Sequence, residues 1–352
     1  MENCATCSIG SVSIGVDTGT LRSVSPSTPN PGPDVVLTSP VLARVGQAVS
    51  HSVLSSSRVA AALTSNGICF DVGPFKCRVR SCWEQLADPL RSLYADMGLR
   101  EATAVEDVVF DIDANIGRKR HNIFGRIDAE FSVAGFPPLP ELPFEQVHPL
   151  FEWGLNWAVA TLSGTSIVIH AAIVERNGHA IVLPGEPGAG KSTLSAALSL
   201  SGWRLLSDEL TVIDLDSLLA VPLPRPISLK GRSIDVIKLR FPNAWLTAPV
   251  TETRKGAIAY VRPPTDAVVR SRERVPVASV MFPVFQNGVP LSCEDVMPAA
   301  ALSRLLTNTF NVGLLGSAGF RALTSIVANS KNIEMAYSDL TEALDWIDRN
   351  LP

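Results

Sequence analysis

Gly185-Glu186-Pro187-Gly188-Ala189-Gly190-Lys191-Ser192-Thr193 follows the apolar run Ala180-Ile181-Val182-Leu183 and precedes the amphipathic stretch Leu194 to Leu200. The spacing is G-x-x-x-x-G-K-[ST], and a strand before it with a helix after it makes it a phosphate cradle rather than a plain Gly-rich turn. Glycines at 185, 188 and 190 let the backbone turn its N–H groups inward, and the following helix adds the positive end of its dipole. Lys191 is placed to reach the β- and γ-phosphates of a nucleotide. The Ser192 hydroxyl is placed to ligate Mg²⁺.

Two domains are expected from 352 residues, and the content of 46% hydrophobic with 18% charged residues is that of a folded globular chain. A formal net charge of -4 gives no general attraction for nucleic acid or anionic lipid, so neither is expected as a partner. No apolar run reaches the 18 or so residues that span a bilayer, and Met1-Glu2-Asn3-Cys4 lacks the basic and then apolar order of a signal peptide. The expectation is a cytoplasmic protein. The six cysteines are too scattered for a disulfide framework. Cys4-x-x-Cys7 reads as unpaired thiols, and Cys69, Cys77 and Cys82 as small buried groups.

Residues 1–45, rich in Ser, Thr, Pro and Gly, cannot offset their ordering entropy by burial and read as a disordered tail. Residues 46–147 read as a small α+β module: strands at 68–72, 75–79, 108–112 and 127–131, and a helical repeat of Trp83, Leu86, Leu90, Leu93 and Met97. Residues 148–352 read as an α/β domain closed by C-terminal helices. It begins with a Trp-rich helix from Pro149 to Leu162 that reads as core packing, followed by a buried strand at 166–174 and a hairpin turn at Asn177-Gly178.

Gly202 stands where a helix needs a left-handed cap, and Trp203 to Ser207 is the strand expected to deliver Asp208 and Glu209 to its carboxyl end. Ligands of open α/β sheets bind there, so two carboxylates beside the phosphates can hold a metal or accept a proton. A solvated acidic turn is the plainer alternative.

The chain resembles the HPr kinase/phosphorylase superfamily, and most closely its HPr kinase-related kinase A group. The residues that carry the resemblance are Glu152-Trp153-Gly154-Leu155-Asn156-Trp157, Ile169 to Arg176, the phosphate loop, Gly202 to Thr211, Pro222 to Lys230, and Thr253 to Gly256. It implies a P-loop kinase domain of the HPr kinase and phosphoenolpyruvate carboxykinase type. It also implies a catalytic set in which His170, Lys191, Ser192, Asp208 and Glu209 match the family's histidine, loop pair and acidic pair. HPr kinases form hexamers, so a homo-oligomer is the family expectation. Ser228 and Lys230 stand where the family signature has glutamate and arginine, which leaves phosphorylase activity outside the expectation.

On this reading the protein is an ATP- and Mg²⁺-dependent serine/threonine kinase of a protein or peptide hydroxyl. Asp208 is the base, Glu209 a metal ligand with Ser192, and His170 the group that tunes Asp208. Without the resemblance His170 reads as a core histidine. Arg225, Lys230, Arg254 and Lys255 are candidate phosphate clamps or, equally, surface charges. Two other readings use the same residues: a kinase of a small hydroxylated metabolite such as free serine, and a nucleotide-gated binding protein with slow hydrolysis. Trp245 reads as packing, and His51, His121, His148 and His179 carry no assignment.

Overall fold

Alternation and turn chemistry dominate the first half of the chain. The computed structural model describes residues 54–117 and 127–352; the expected tail, Cys4, Cys7, His51 and His121 lie outside them. Ser55 caps α1 (Ser56–Leu63) by accepting from the Arg58 N–H at 3.3 Å. Then come β1 (Ile68–Val72), β2 (Phe75–Ser81), α2 (Ala87–Leu93), β3 (Arg100–Glu101), β4 (Phe110–Ile116), β5 (Asp128–Val133) and β6 (Leu142–Pro143). They form a sheet in the order β3-β1-β2-β4-β5-β6, with β2 and β4 parallel.

The helical repeat expected from Trp83 to Met97 is split: a 3₁₀ turn covers Glu84–Leu86 and α2 stops at Leu93. Leu86, Leu90, Leu93 and Met97 are nonetheless all buried, because the chain turns back at Gly98, where φ is +67°, and keeps its apolar side inward. The strand expected at 108–112 lies two residues later. Cys69 and Cys77 are buried as expected, whereas Cys82, just past the end of β2, is exposed.

Helix α3 (Val147–Leu162) lies on this sheet, and Pro149 falls in its first turn, where no intrahelical N–H is missed. Gly154 is the point of closest approach. A Cβ there would come within 2.4 Å of the Phe131 ring on β5, so the glycine is set by space and not by backbone angle.

The second half begins with β7 (Ser166–Arg176), joined to β8 (His179–Pro184) through Asn177 and Gly178, both at positive φ, the type I′ signature. There follow α4 (Lys191–Leu200), β9 (Arg204–Ser207), β10 (Leu210–Asp214), β11 (Leu219–Val221), β12 (Ile227–Lys230), α5 (Arg232–Arg240), β13 (Val250–Thr253), β14 (Gly256–Val261) and α6 (Thr265–Val269). The chain ends with β15 (Val275–Phe285), β16 (Ser292–Asp295), α7 (Pro298–Thr307), α8 (Val312–Asn329), β17 (Lys331–Tyr337) and α9 (Leu340–Asn350).

The larger sheet runs β11-β10-β7-β8-β15-β17-β16, with β9 also on β7, and a smaller sheet runs β12-β14-β13. Only β8, β15 and β17 are mutually parallel. The protein is therefore a mixed α/β structure. The core under α3 is continuous across the two halves, since Phe70, Phe131 and Phe151 share it with Val168, Leu210, Leu223 and Tyr260. Among the described residues no helix is long and apolar enough to cross a membrane.

Gly154→Ala is expected to cost about 1–3 kcal/mol by overpacking α3 against Phe131, read as a lower melting temperature. Gly164→Ala, which meets nothing within 4 Å, is the control and stays within about 0.5 kcal/mol. Equal melting of the two variants would show that α3 can lift off the sheet freely.

Candidate active site

Strand β7 is the axis of the site. On one edge Ala171 and Ala172 pair with Pro184 and Leu183, the last residues before the phosphate loop. On the other edge His170 pairs with Leu210 and Ile173 with Ser207, so β9 and β10 form one interrupted strand whose gap is Asp208-Glu209. The acidic pair and the loop thus flank the same two alanines, about 10 Å apart across two ladder spacings. The acidic pair sits at the carboxyl end of β9, as expected, in the break between it and β10.

Successive residues of an unbroken strand point to opposite faces. The break relieves that rule, and both carboxylates engage α3, α4 and β12. Asp208 Oδ1 accepts from Ser195 Oγ of α4 at 2.8 Å, and Oδ2 accepts from the Ser228 N–H of β12 at 3.0 Å. Glu209 accepts from Asn156 Nδ2 of α3 and lies 3.4 Å from Lys230 Nζ. The Thr211 hydroxyl donates to the Ala171 carbonyl at 3.1 Å, satisfying a backbone acceptor beside the gap.

The loop is anchored at its α4 end. Gly190, the residue before α4, has φ +94°, and a Cβ there would lie 2.5 Å from Tyr337 Oη. The Phe285 N–H at the end of β15 donates to the Ala189 carbonyl at 3.1 Å. Glu186, Pro187 and Gly188 are exposed, Gly185 is half-buried, and Ser192 and Thr193 stand half-buried in the first turn of α4. Lys191 is buried and donates to the carbonyls of Gly185 and, at 3.2 Å, Glu186. Burial pulls its ammonium below the usual lysine value; Asp208 is the strongest charge opposing that pull.

Asp208 is 3% exposed, and burial, reinforced by the Glu209 charge, raises it to about 6. Burial works to raise Glu209 as well, but the charges of Lys230, Lys255 and Arg225 prevail and hold it below the usual range. The two neighbours are therefore pushed apart, one toward neutral pH and one firmly ionised. His170 is the one interior residue of β7 that is not buried. Its ring meets Phe310 edge-on at 6.0 Å, and burial, then the Lys191 charge, lowers its basicity, favouring a neutral imidazole.

The four expected clamps separate. Lys230 pairs with Glu209, and the Lys255 ammonium lies 5.4 Å from the Trp153 ring. Arg254 is exposed on the turn between β13 and β14. Arg225 is buried, and its guanidinium is neutralised by Glu152 at 2.7 Å, so its place is that of an internal cation and not of a group closing over phosphates. Trp245, expected to pack, is 43% exposed.

Sequence reading gave no role to Ser195, Glu152 or Asn156, the last two appearing only among the residues that carry the resemblance. For the last two a signal existed, two polar residues four apart on an apolar helix. Ser228 serves Asp208 through its backbone N–H, a contact that does not depend on the side chain at this position.

Among the described residues no group of three or more His, Cys, Asp or Glu side chains gathers into a metal cage. Ser192 and Glu209 suit Mg²⁺ that arrives with phosphate oxygens, the usual way this ion is held. No protein-family model matches the chain, and no curated protein matches it either.

Because the folded state binds the Asp208 proton more tightly than the unfolded state, this group's contribution to stability falls as pH rises from about 4 to about 6. The change is about 3 kcal/mol for a shift of this size. Asp208→Asn, which can still accept from Ser228 and meet Ser195, is expected to lack that fall. Denaturant unfolding of both proteins between pH 4 and pH 7 measures it, and parallel curves would remove the raised carboxyl.

Proposed function

We propose that the protein is an ATP-dependent phosphotransferase that phosphorylates a hydroxyl of a protein or peptide, with a kinase domain of the HPr kinase and phosphoenolpyruvate carboxykinase type. The observation that carries the reading is the juxtaposition of Lys191, in a glycine-rich loop opening α4, with an acidic pair whose two members are shifted in opposite directions.

Phosphoryl transfer asks a protein for positioning and charge stabilisation more than for covalent chemistry. The loop amides and Lys191 would bind the phosphates, exchanging the lysine's present carbonyl partners for phosphate oxygens. Ser192 and Glu209 would hold Mg²⁺, which when bound neutralises phosphate charge. Asp208, raised to about 6, has the basicity that suits a group accepting a hydroxyl proton near neutral pH. Its two hydrogen bonds leave lone pairs on both oxygens. His170 would orient beside Glu209 and the phosphates without adding a second positive charge. Lys230 and Lys255 are the cations best placed to balance charge on the acidic side of the site.

Transfer of labelled γ-phosphoryl to candidate acceptors, followed in wild type, Asp208→Asn and Lys191→Ala, tests the reading. Asp208→Asn is expected to lower turnover by about 10²–10⁴ with nucleotide affinity retained, as for loss of a general base. Lys191→Ala is expected to lose nucleotide binding itself. Transfer that persists in the first variant eliminates Asp208 as base, and undiminished binding in the second eliminates the phosphate cradle.

A further inference from the structure

A buried polar chain reaches Glu209 from the far side of α3. Tyr94, one residue past α2, donates its hydroxyl to Glu152 Oε1 at 2.8 Å. Arg225 Nη2 donates to Glu152 Oε2 at 2.7 Å and to the Glu152 carbonyl at 3.0 Å, and His148 Nε2 lies 3.4 Å from Oε1. Arg225 Nη1 donates to Asn156 Oδ1, and Asn156 Nδ2 donates to Glu209 Oε2. Tyr94, Glu152 and Arg225 are all under 9% exposed.

The direction of these bonds admits one arrangement. A guanidinium has only donors and an ionised carboxylate only acceptors, so the Asn156 amide must give its oxygen to Arg225 and its nitrogen to Glu209. Turning the amide over would set oxygen against oxygen and nitrogen against nitrogen. The ion pair between Arg225 and Glu152 fixes the guanidinium in turn, since a buried charge without its partner is strongly disfavoured.

Beside this chain lies a cavity of about 20 Å³, lined in part by Trp153, Asn156, Asp208, Glu209 and Arg225. Four residues that line it carry a buried polar atom with no hydrogen-bond partner among the described residues: Trp153 Nε1, Arg225 Nε, Ser228 Oγ and Tyr260 Oη. Its size and these polar groups suit one water molecule. Such a space gives the Glu209 carboxylate somewhere else to go. Lys230 restrains only the other oxygen, from 3.4 Å.

We propose that Asn156 is a positioning residue, locked by the Glu152–Arg225 pair, that holds the Glu209 carboxylate beside Lys230, and that Tyr94 extends this hold to the N-terminal module. The proposal rests on the reading of Glu209 as a ligand of nucleotide-bound Mg²⁺. It makes the first module part of the site and not an appendage.

Two measurements test it. The first needs no nucleotide: melting temperatures of Asn156→Leu, Glu209→Ala and the double variant. Direct coupling predicts a double loss well short of the sum of the single losses, because removing Glu209 also removes the carboxylate that Asn156→Leu leaves unpartnered. Additive losses overturn the proposal.

The second is binding of a non-hydrolysable ATP analogue with and without Mg²⁺. Asn156→Leu is expected to weaken the Mg²⁺ dependence about 10–100-fold, as loss of a group orienting a metal ligand does, with affinity measured in excess chelator unchanged. Equal loss in both conditions marks a general structural effect and overturns the proposal. Tyr94→Phe, which does not touch Glu209, shifts the Mg²⁺ dependence in the same direction, and no shift confines the hold to α3. If wild type binds no nucleotide at all, the kinase reading fails while the melting cycle still decides whether Asn156 holds Glu209.

Discussion

Two neighbouring carboxylates on one side of a sheet are the constraint from which the rest of the site follows. Their charges repel, and both are withdrawn from water, so the surroundings must treat them differently. Asp208 receives one hydroxyl and one backbone N–H, and burial, then the charge of Glu209, is left to raise it. Glu209 receives an amide and stands among cations, which keep it charged. The break in the ladder opposite Ala171 and Ala172 allows the arrangement, because an intact strand would have sent one of the two to the far face. Small side chains at those positions keep the gap from being filled.

Burial of Lys191 belongs to the same balance. Its ammonium is satisfied by loop carbonyls and faces the buried Asp208, so each charge lessens the other's cost of desolvation. The site therefore resembles a charge cluster held in readiness more than a set of solvated side chains. That arrangement suits chemistry in which stabilisation must already be in place when charge develops.

Much of this was legible from residue order alone. The loop, the Asn177-Gly178 hairpin, the long strand from Ser166 and the left-handed cap at Gly202, where φ is +103°, follow from local chemistry that distant residues do not alter. What escaped depends on partners far along the chain. Arg225 reads as an available cation because Glu152 is 73 residues away, and only the fold brings them to 2.7 Å. That β10 resumes along β7 after the acidic pair is equally hidden, since Ser207 to Leu210 carries no local signal that the same ladder continues. Glu152 and Asn156 were overlooked for a different reason: the tryptophans around them explain α3 as packing, and one sufficient explanation masked a second.

The ion pair between Glu152 and Arg225 also bears on the order in which the chain can mature. During synthesis the first sheet and α3 leave the ribosome well before β12 exists, and until then Glu152 would enter an apolar interior carrying a charge with no guanidinium to meet it. Val168, Leu210, Leu223 and Tyr260, which complete that interior, all follow α3 in the chain. A nascent fragment ending at α3 is thus unfinished, and the two halves of the polypeptide acquire their final packing together.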